Sequence, residues 1–313
     1  MDFKHIPVML EECINSLCIK PDGVYVDCTI GGAGHSKEIA KRLSQKGTLI
    51  GIDKDENALL ASKEKLKDVK CKVHLVHDSF SNLKNILQEL EITQVDGILA
   101  DLGVSSYQID TQERGFSYMK DAPLDMRMDL SQSLNAREIV NTYSEKELTK
   151  LLFEYGEESF ARQIAKKIVE TRKQKPIETT LELVKIIESA YPPKFLHKGG
   201  SVAKKTFQAL RIETNNELSP LTQSVEDMIS ALSPGGRVCI ITFHSLEDRI
   251  VKKVFAYHST NCICPKSFPV CVCSHKANIA LVSKKPITAG SEELENNSRS
   301  ASAKLRVAEK KSV

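Results

Sequence analysis

Short apolar runs and amphipathic stretches alternate over the first hundred residues. GVYVDCTI, TLIGIDKD, KVHLVHD and QVDGILADLG read as strands, while HSKEIAKRL, ENALLASKEKL and SNLKNILQEL carry apolar residues at helical spacing. Strands joined by helical stretches of this length predict right-handed βαβ units and a parallel, doubly wound sheet. From about Gln108 to Arg211 the alternation stops. An irregular loop, QERGFSYMKDAPLDMRMD, leads into three helical patterns: REIVNTYSEKELTKLLFEYG, ARQIAKKIVETRKQ and LELVKIIESAY. Strand and helix then resume with the helix TQSVEDMISAL, the turn PGG, the strand RVCIITFHS and the helix LEDRIVKKVF. NIALVSKKPIT and AKLRVAE have the pattern of a closing hairpin, and the polar SEELENNSRSAS between them reads as a loop. The expected architecture is α/β: a Rossmann-like domain over 1–107 and 212–313, interrupted by an all-helical insertion over 108–211.

Composition narrows this picture in two places. No apolar run approaches the ~18 residues of a membrane span, and MDFKHIPVMLEEC lacks a secretory pattern, so no membrane partner and a cytoplasmic location are expected. Of nine cysteines, Cys13, Cys18, Cys28, Cys71 and Cys239 are scattered in apolar contexts and read as reduced, buried thiols. The other four stand together in NCICPKSFPVCVCSHK, where Cys262, Cys264, Cys271 and Cys273 form two CxC pairs around a stiff, proline-containing loop. Thiolates so placed suit a tetrahedral structural zinc, with His275 as a substitute ligand. Reduced free thiols or a disulfide are the alternatives.

The candidate chemistry lies in VYVDCTIGGAGHSKEI, where a strand runs through a glycine cluster into a helix. A P-loop requires a lysine where His35 follows Gly34, and a dinucleotide fingerprint requires glycine where Lys37 stands. Charge points elsewhere. Four successive strands end at or beside an aspartate, namely Asp27, Asp53, Asp78 and Asp101. Ligands of open parallel sheets sit at these carboxyl ends, where a pyrophosphate beside Asp27 would be repelled by about 1 to 4 kcal/mol. Asp53 suits a ribose diol. A nucleoside bearing a cation, such as S-adenosylmethionine, fits better than a phosphate; a helix cap is the structural alternative for any one aspartate.

These strings, with IGIDKD, HDSF, DLGVSSYQID, ERGFS, PLDMRMD, TFQALRIETNNEL, SPGGRV and FHSLEDRIVK, run through most of the chain in order. The sequence resembles the bacterial 16S ribosomal RNA cytosine-N4 methyltransferases of the RsmH (MraW) family. The resemblance implies a class I methyltransferase sheet with an inserted helical domain. It also implies S-adenosylmethionine as cofactor, and a substrate cytidine in the decoding region of 16S rRNA, within the small ribosomal subunit. Cofactor residues carried over are Ala33, Gly34, His35, Asp53, Phe80, Asp101 and Gln108. Some relatives have glycine at Ala33, a change that is neutral unless the residue needs positive φ. Monomer and homodimer both remain open.

Transfer to an exocyclic amine requires in-line alignment and acceptors for its N–H groups. Many nucleobase amine methyltransferases use [DNS]PP[YFW] after the fourth strand, whereas this chain has Asp101-Leu102-Gly103-Val104. Asp101 is the candidate acceptor, with cofactor binding as its other role. His244 is either a second contact to the base or a cap on the next helix, and Asp125 with Arg127 either positions the nucleotide or orders its loop. Between Arg137 and Arg211, fifteen Lys or Arg face ten Asp or Glu, and Lys166, Lys167, Arg172, Lys173 and Lys175 cluster near one helix end. Such a run suits an RNA backbone or a merely solvated helix face. A dehydrogenase, a methyltransferase of another substrate and a silent RNA-binding factor are the competing classes.

Overall fold

The computed structural model describes residues 7–196 and 201–312, so His5, Ile6 and Lys198 of the stretches above lie outside the described residues. The chain divides into two compact units, one formed by 1–103 with 218–313 and the other by 104–217. The helical unit thus begins four residues earlier and ends six later than the expected 108–211.

The first unit carries a seven-stranded sheet of order β3-β2-β1-β4-β5-β7-β6. Its strands are β1 (Val24–Asp27), β2 (Thr48–Asp53), β3 (Lys72–His77), β4 (Val95–Asp101), β5 (Leu232–Thr242), β6 (Ile279–Leu281) and β7 (Lys304–Lys310). The first five run parallel, and β7 pairs antiparallel with both β5 and β6. This is the Rossmann-like α/β class expected from the pattern. The strands read as unbroken apolar runs because both faces are covered. Val26, Ile50, Ile98 and Ile240 enter one core with Ile86, Met228 and Val251, while their neighbours Tyr25, Leu49, Leu99 and Ile241 enter the other with Leu17 and Ile39.

Three details differ from the sequence reading. PGG is a bulge inside β5, not a turn before it. Leu232 pairs with Val95, Gly235 takes φ 78°, and the ladder resumes at Arg237 opposite Gly97. The last two strands pair without forming a tight hairpin, because β7 is inserted between β5 and β6. The polar stretch between them is folded, with a helix at Ser291–Asn296 and a 3₁₀ turn at Ser298–Ser302. There Glu293 accepts the Met9 N–H at 2.7 Å and Ser300 is buried, contacts that composition cannot reveal.

The helical unit has its own core, formed by Leu148, Leu152, Ile164, Ile168, Leu183 and Ile187 with Phe207 and Leu210. Helices Glu145–Gly156 and Thr180–Ala190 start on capping boxes, Ser144 with Glu147 and Thr179 with Glu182. No helix among the described residues is long and apolar enough to cross a membrane.

Order in the sheet reverses between β1 and β4, each of which starts a run of neighbours in the opposite direction. The exit loop of β1 crosses β2 closely. A Cβ on Gly51 would lie 2.2 Å from Ile30 Cδ1. Gly51→Ala is therefore expected to destabilise the fold by about 1–3 kcal/mol, read as a lower urea midpoint at unchanged slope.

Candidate active site

The site builds on the carboxyl ends of β1, β2 and β4, around the reversal of strand order where open α/β sheets bind their ligands. The glycine turn after β1 is held from several sides. Gly31 donates its N–H to Asp53 Oδ2 at 2.8 Å, and its carbonyl accepts the Ser62 hydroxyl at 2.7 Å. The Gly32 carbonyl accepts Lys65 Nζ at 2.8 Å. Gly31 and Ala33 both lie in the left-handed region, at φ 49° and 53°. Ala33 therefore meets the condition under which its methyl group matters, and left-handed backbone with a Cβ costs about 1 kcal/mol. Its side chain is fully buried, which offsets part of that cost.

Helix Gly34–Arg42 follows with no side-chain cap, leaving its first N–H groups for a partner outside the helix. Gly34 permits the close passage of Pro7, whose Cγ would sit 2.3 Å from an added Cβ. His35 is buried, and its Nε2 lies 3.0 Å from the Val8 carbonyl. A carbonyl only accepts, so this nitrogen carries the proton; burial lowers the imidazole pKa to about 4, so the ring is neutral at pH 7.

The four strand-end aspartates divide into different roles. Asp27 is buried and accepts the Ser36 hydroxyl at 2.6 Å and the Thr29 N–H at 3.2 Å. Asp78 accepts the Ser79 N–H and the Asn82 amide, each at 2.6 Å, and so closes the turn before the next helix. These two accept hydrogen bonds from their own turns and following helices, the capping role that was the structural alternative for any one of the four. Asp53 accepts Gly31 N–H on one oxygen and Asp55 N–H on the other, at 2.8 and 2.9 Å. Each carboxylate oxygen has a second lone-pair direction, so capacity for two hydroxyl donors remains. Phe80 follows β3, half-buried against the core.

Asp101 is different. Its Oδ1 is buried without a hydrogen-bond partner, and Oδ2 stands 4.0 Å from His35 Nδ1, beyond hydrogen-bond range. Its backbone N–H is tied to Thr29 Oγ1 at 2.7 Å, fixing the end of β4 against the exit of β1. Burial, then the charges of Asp27 and Glu247, push its carboxyl up to about 8. The next residues set its position: Leu102 is buried with its N–H on Ile241 O at 3.1 Å, and Gly103 turns at φ 99°.

The structure puts His244 in the capping role. It precedes helix Ser245–Ser259, with Nδ1 accepting the Glu247 N–H at 3.5 Å, while Glu247 accepts the His244 N–H at 3.3 Å. Glu247, buried and charging the neighbourhood of Asp101, was missed in the sequence; its signal is the three-residue spacing from His244.

In the helical unit, Gln108 is buried, and its side chain closes a capping box with Ser105. Arg127 forks onto Asp125 at 2.9 and 2.8 Å and onto the carbonyls of Leu130 and Gln132, so this pair orders its loop. The basic run is partly spent internally. Arg172 donates to the Val140 and Tyr143 carbonyls, Lys175 pairs with Glu182 at 2.8 Å, and Lys166 and Lys167 both approach Glu170. A second basic feature, in which Lys41 and Arg42 pair with Glu38, lies in the sheet unit towards the amino ends of β1, β2 and β3. A groove of about 870 Å³ along helices Gly34–Arg42 and Glu56–Lys65 is lined by Lys37, Lys41, Arg42, Lys46, Lys65 and Lys70, against two carboxylates, Asp22 and Asp68.

The sequence of the MraW methylase family matches residues 2–311. The chain belongs to that family. It is 55% identical over 310 residues to the ribosomal RNA small subunit methyltransferase H of Clostridioides difficile (strain 630), covering 99% of this chain and 100% of that one. A protein of the same name from Clostridium botulinum (strain Kyoto / Type A2) is 59% identical over the same shares. One from Finegoldia magna is 55% identical over 311 residues, 99% of each chain. The protein is thus a methyltransferase, and the strand ends described above are its candidate catalytic surface.

Asp101 gives this surface a measurable signature. It holds its proton more tightly folded than unfolded, so from pH 4 to pH 8 the fold loses stability as pH rises. Asp101→Asn removes this loss. The variant is expected to be more stable than the parent at pH 9, by on the order of 2 kcal/mol, with the difference gone at pH 4, in paired urea titrations.

Proposed function

We propose that this methylase transfers a methyl group from S-adenosylmethionine to the exocyclic N4 amine of a cytidine in the decoding region of 16S rRNA, in the cytoplasm and on the small ribosomal subunit. The observation that carries the site assignment is the buried, unpartnered Oδ1 of Asp101 at the reversal of strand order. Small-subunit ribosomal RNA as substrate is supported by the relatives at 55–59% identity, each called ribosomal RNA small subunit methyltransferase H, and the cytidine N4 amine follows from the resemblance carried by the sequence motifs.

The donor set fits this cofactor. An uncapped helix N-terminus after Ala33 suits a carboxylate, Asp53 retains lone pairs for a ribose diol, and Phe80 offers an apolar face to a base. The crowded carboxylates Asp101, Asp27 and Glu247 favour a cation nearby. When bound, the cofactor supplies an electrophilic methyl group on a sulfonium.

The chain's own residues do the rest. The amine of cytosine is a poor nucleophile because its lone pair is conjugated with the ring. Asp101 accepts a hydrogen bond from its N–H, orienting the lone pair and stabilising positive charge as it grows on nitrogen. The proton becomes strongly acidic only after the new bond forms, so a carboxylate suffices as acceptor. His244 takes no proton in this scheme; it holds helix Ser245–Ser259 and with it Glu247. A structural zinc on Cys262, Cys264, Cys271 and Cys273 is part of the proposal and takes no part in the reaction.

The test is methyl transfer from labelled cofactor to 30S particles, free 16S RNA, DNA and protein from a strain lacking the enzyme. Label in N4-methylcytidine of the 30S particles is expected, with Asp101→Asn reduced about 100-fold or more in kcat. Label confined to protein or DNA, or full activity of the variant, overturns the reading.

Binding itself provides a second measurement. Asp101 is protonated in the free protein near pH 7, and a neighbouring cation favours its ionised form. S-adenosylmethionine is therefore expected to bind more tightly as pH rises from 6 to 8, with proton release seen as a buffer-dependent calorimetric enthalpy. Asp101→Asn is expected to abolish that buffer dependence.

A further inference from the structure

Between helix Ser245–Ser259 and β6 the chain makes an excursion whose base is pinned. Asn278 donates its N–H to the His258 carbonyl at 3.0 Å, its side-chain Oδ1 meets His258 Nδ1 at 3.0 Å, and Ala277 N–H reaches Asn261 Oδ1 at 3.3 Å. Beyond that base, hydrophobic burial does not hold the loop together. Val270 and Val272 are 71% and 70% exposed, and Ile263 and Phe268 about half. What converges there is sulfur. The Sγ atoms of Cys262, Cys264, Cys271 and Cys273 all lie within 4.8 Å of one another.

We propose that these four thiolates bind one zinc ion in a tetrahedral site that closes this excursion. The spacing has the right scale. With Zn–S bonds of ~2.3 Å, sulfurs at tetrahedral corners stand about 3.8 Å apart. Cys271 and Cys273 are separated by 3.6 Å, Cys262 and Cys273 by 3.9 Å. A disulfide requires about 2.05 Å, and all four cysteines are free. Each CxC pair also points backbone donors at the opposite pair: Ile263 N–H reaches Cys273 Sγ and Val272 N–H reaches Cys264 Sγ, both at 3.4 Å. Such N–H groups spread the negative charge of metal-bound thiolates and fix their direction. Every sulfur has a role, and none is left over.

His275 is not a ligand. Its Nε2 lies 3.0 Å from the Tyr257 carbonyl and its ring rests on Tyr257 at 4.6 Å, which corrects the sequence reading that offered it as a substitute. Four sulfurs in a tetrahedron suit zinc or iron. Zinc is the choice because four protein thiolates complete its tetrahedral shell and make a closed structural site.

Protein purified without chelator and analysed by inductively coupled plasma mass spectrometry is expected to contain about one zinc per chain. Cys264→Ser with Cys273→Ser is expected to lower zinc at least fivefold and to speed hydrogen exchange over residues 261–277, while the melting of the sheet unit stays intact. Replacing zinc in the unmutated chain by cobalt(II) is expected to give the thiolate charge-transfer and intense visible bands of a tetrahedral tetrathiolate site. That reading does not depend on any variant folding. Iron at unit stoichiometry, zinc retained by the double variant, a cobalt spectrum lacking those bands, or disulfides with under one-tenth zinc per chain would each overturn the proposal.

Discussion

A half-buried carboxyl group close to two others is the constraint from which the rest of the site follows. Asp101 sits at the end of β4, where burial, and then the nearby charges of Asp27 and Glu247, raise its pKa to about 8, and one of its oxygens has no partner. Folding gains nothing from such an arrangement; a group of this kind costs stability unless something later compensates its charge or its missing hydrogen bond. Asp27 and Glu247 are tied down by Ser36, Thr29 and a helix cap, so they cannot turn away to relieve it. Local strain without a structural benefit points to a ligand, and its sign points to a cation.

The glycine turn shows how that strain is held in place. Asp53, Ser62 and Lys65 fix its N–H and carbonyl groups, and His35 fixes the start of the following helix to Val8. Positive φ at Ala33 adds strain that the fully buried environment enforces. A site assembled this way is rigid before ligand arrives, which spares the cost of ordering it at the moment of binding.

Much of this was legible in the sequence, and for physical reasons. Period and length predicted the strands, because a sheet covered on both faces needs unbroken apolar runs, and Asp27, Asp53 and Asp101 fell at the strand ends where the ladders stop. What the sequence could not supply was direction. It cannot say that Asp27 and Asp78 face their own turns while Asp101 faces none, since all three look alike in one dimension. It showed a cluster of lysines in the helical insertion but not that Arg172 is spent on carbonyls. Nor could it show that Lys37, Lys46 and Lys70, spread over more than thirty positions, line one groove. His244 was ambiguous because capping and catalysis draw on the same residue types, and only the reciprocal bonds with Glu247 decide its local role.

On the proposed reading, the same electrostatics that recruit a cation also time the proton. Asp101 is neutral when the site holds no positive charge and becomes a carboxylate when one is placed beside it. It can then accept a hydrogen bond from the target amine. Methyl transfer would move that positive charge onto the amine nitrogen and make its N–H acidic. Once the proton passes to Asp101 the charge is discharged, and burial, with the charges of Asp27 and Glu247, favours the protonated carboxyl. No histidine is required in such a scheme. The absence of the proline-rich motif after β4 also loses its force, because Leu102 anchored on Ile241 and the turn at Gly103 fix Asp101 by other means.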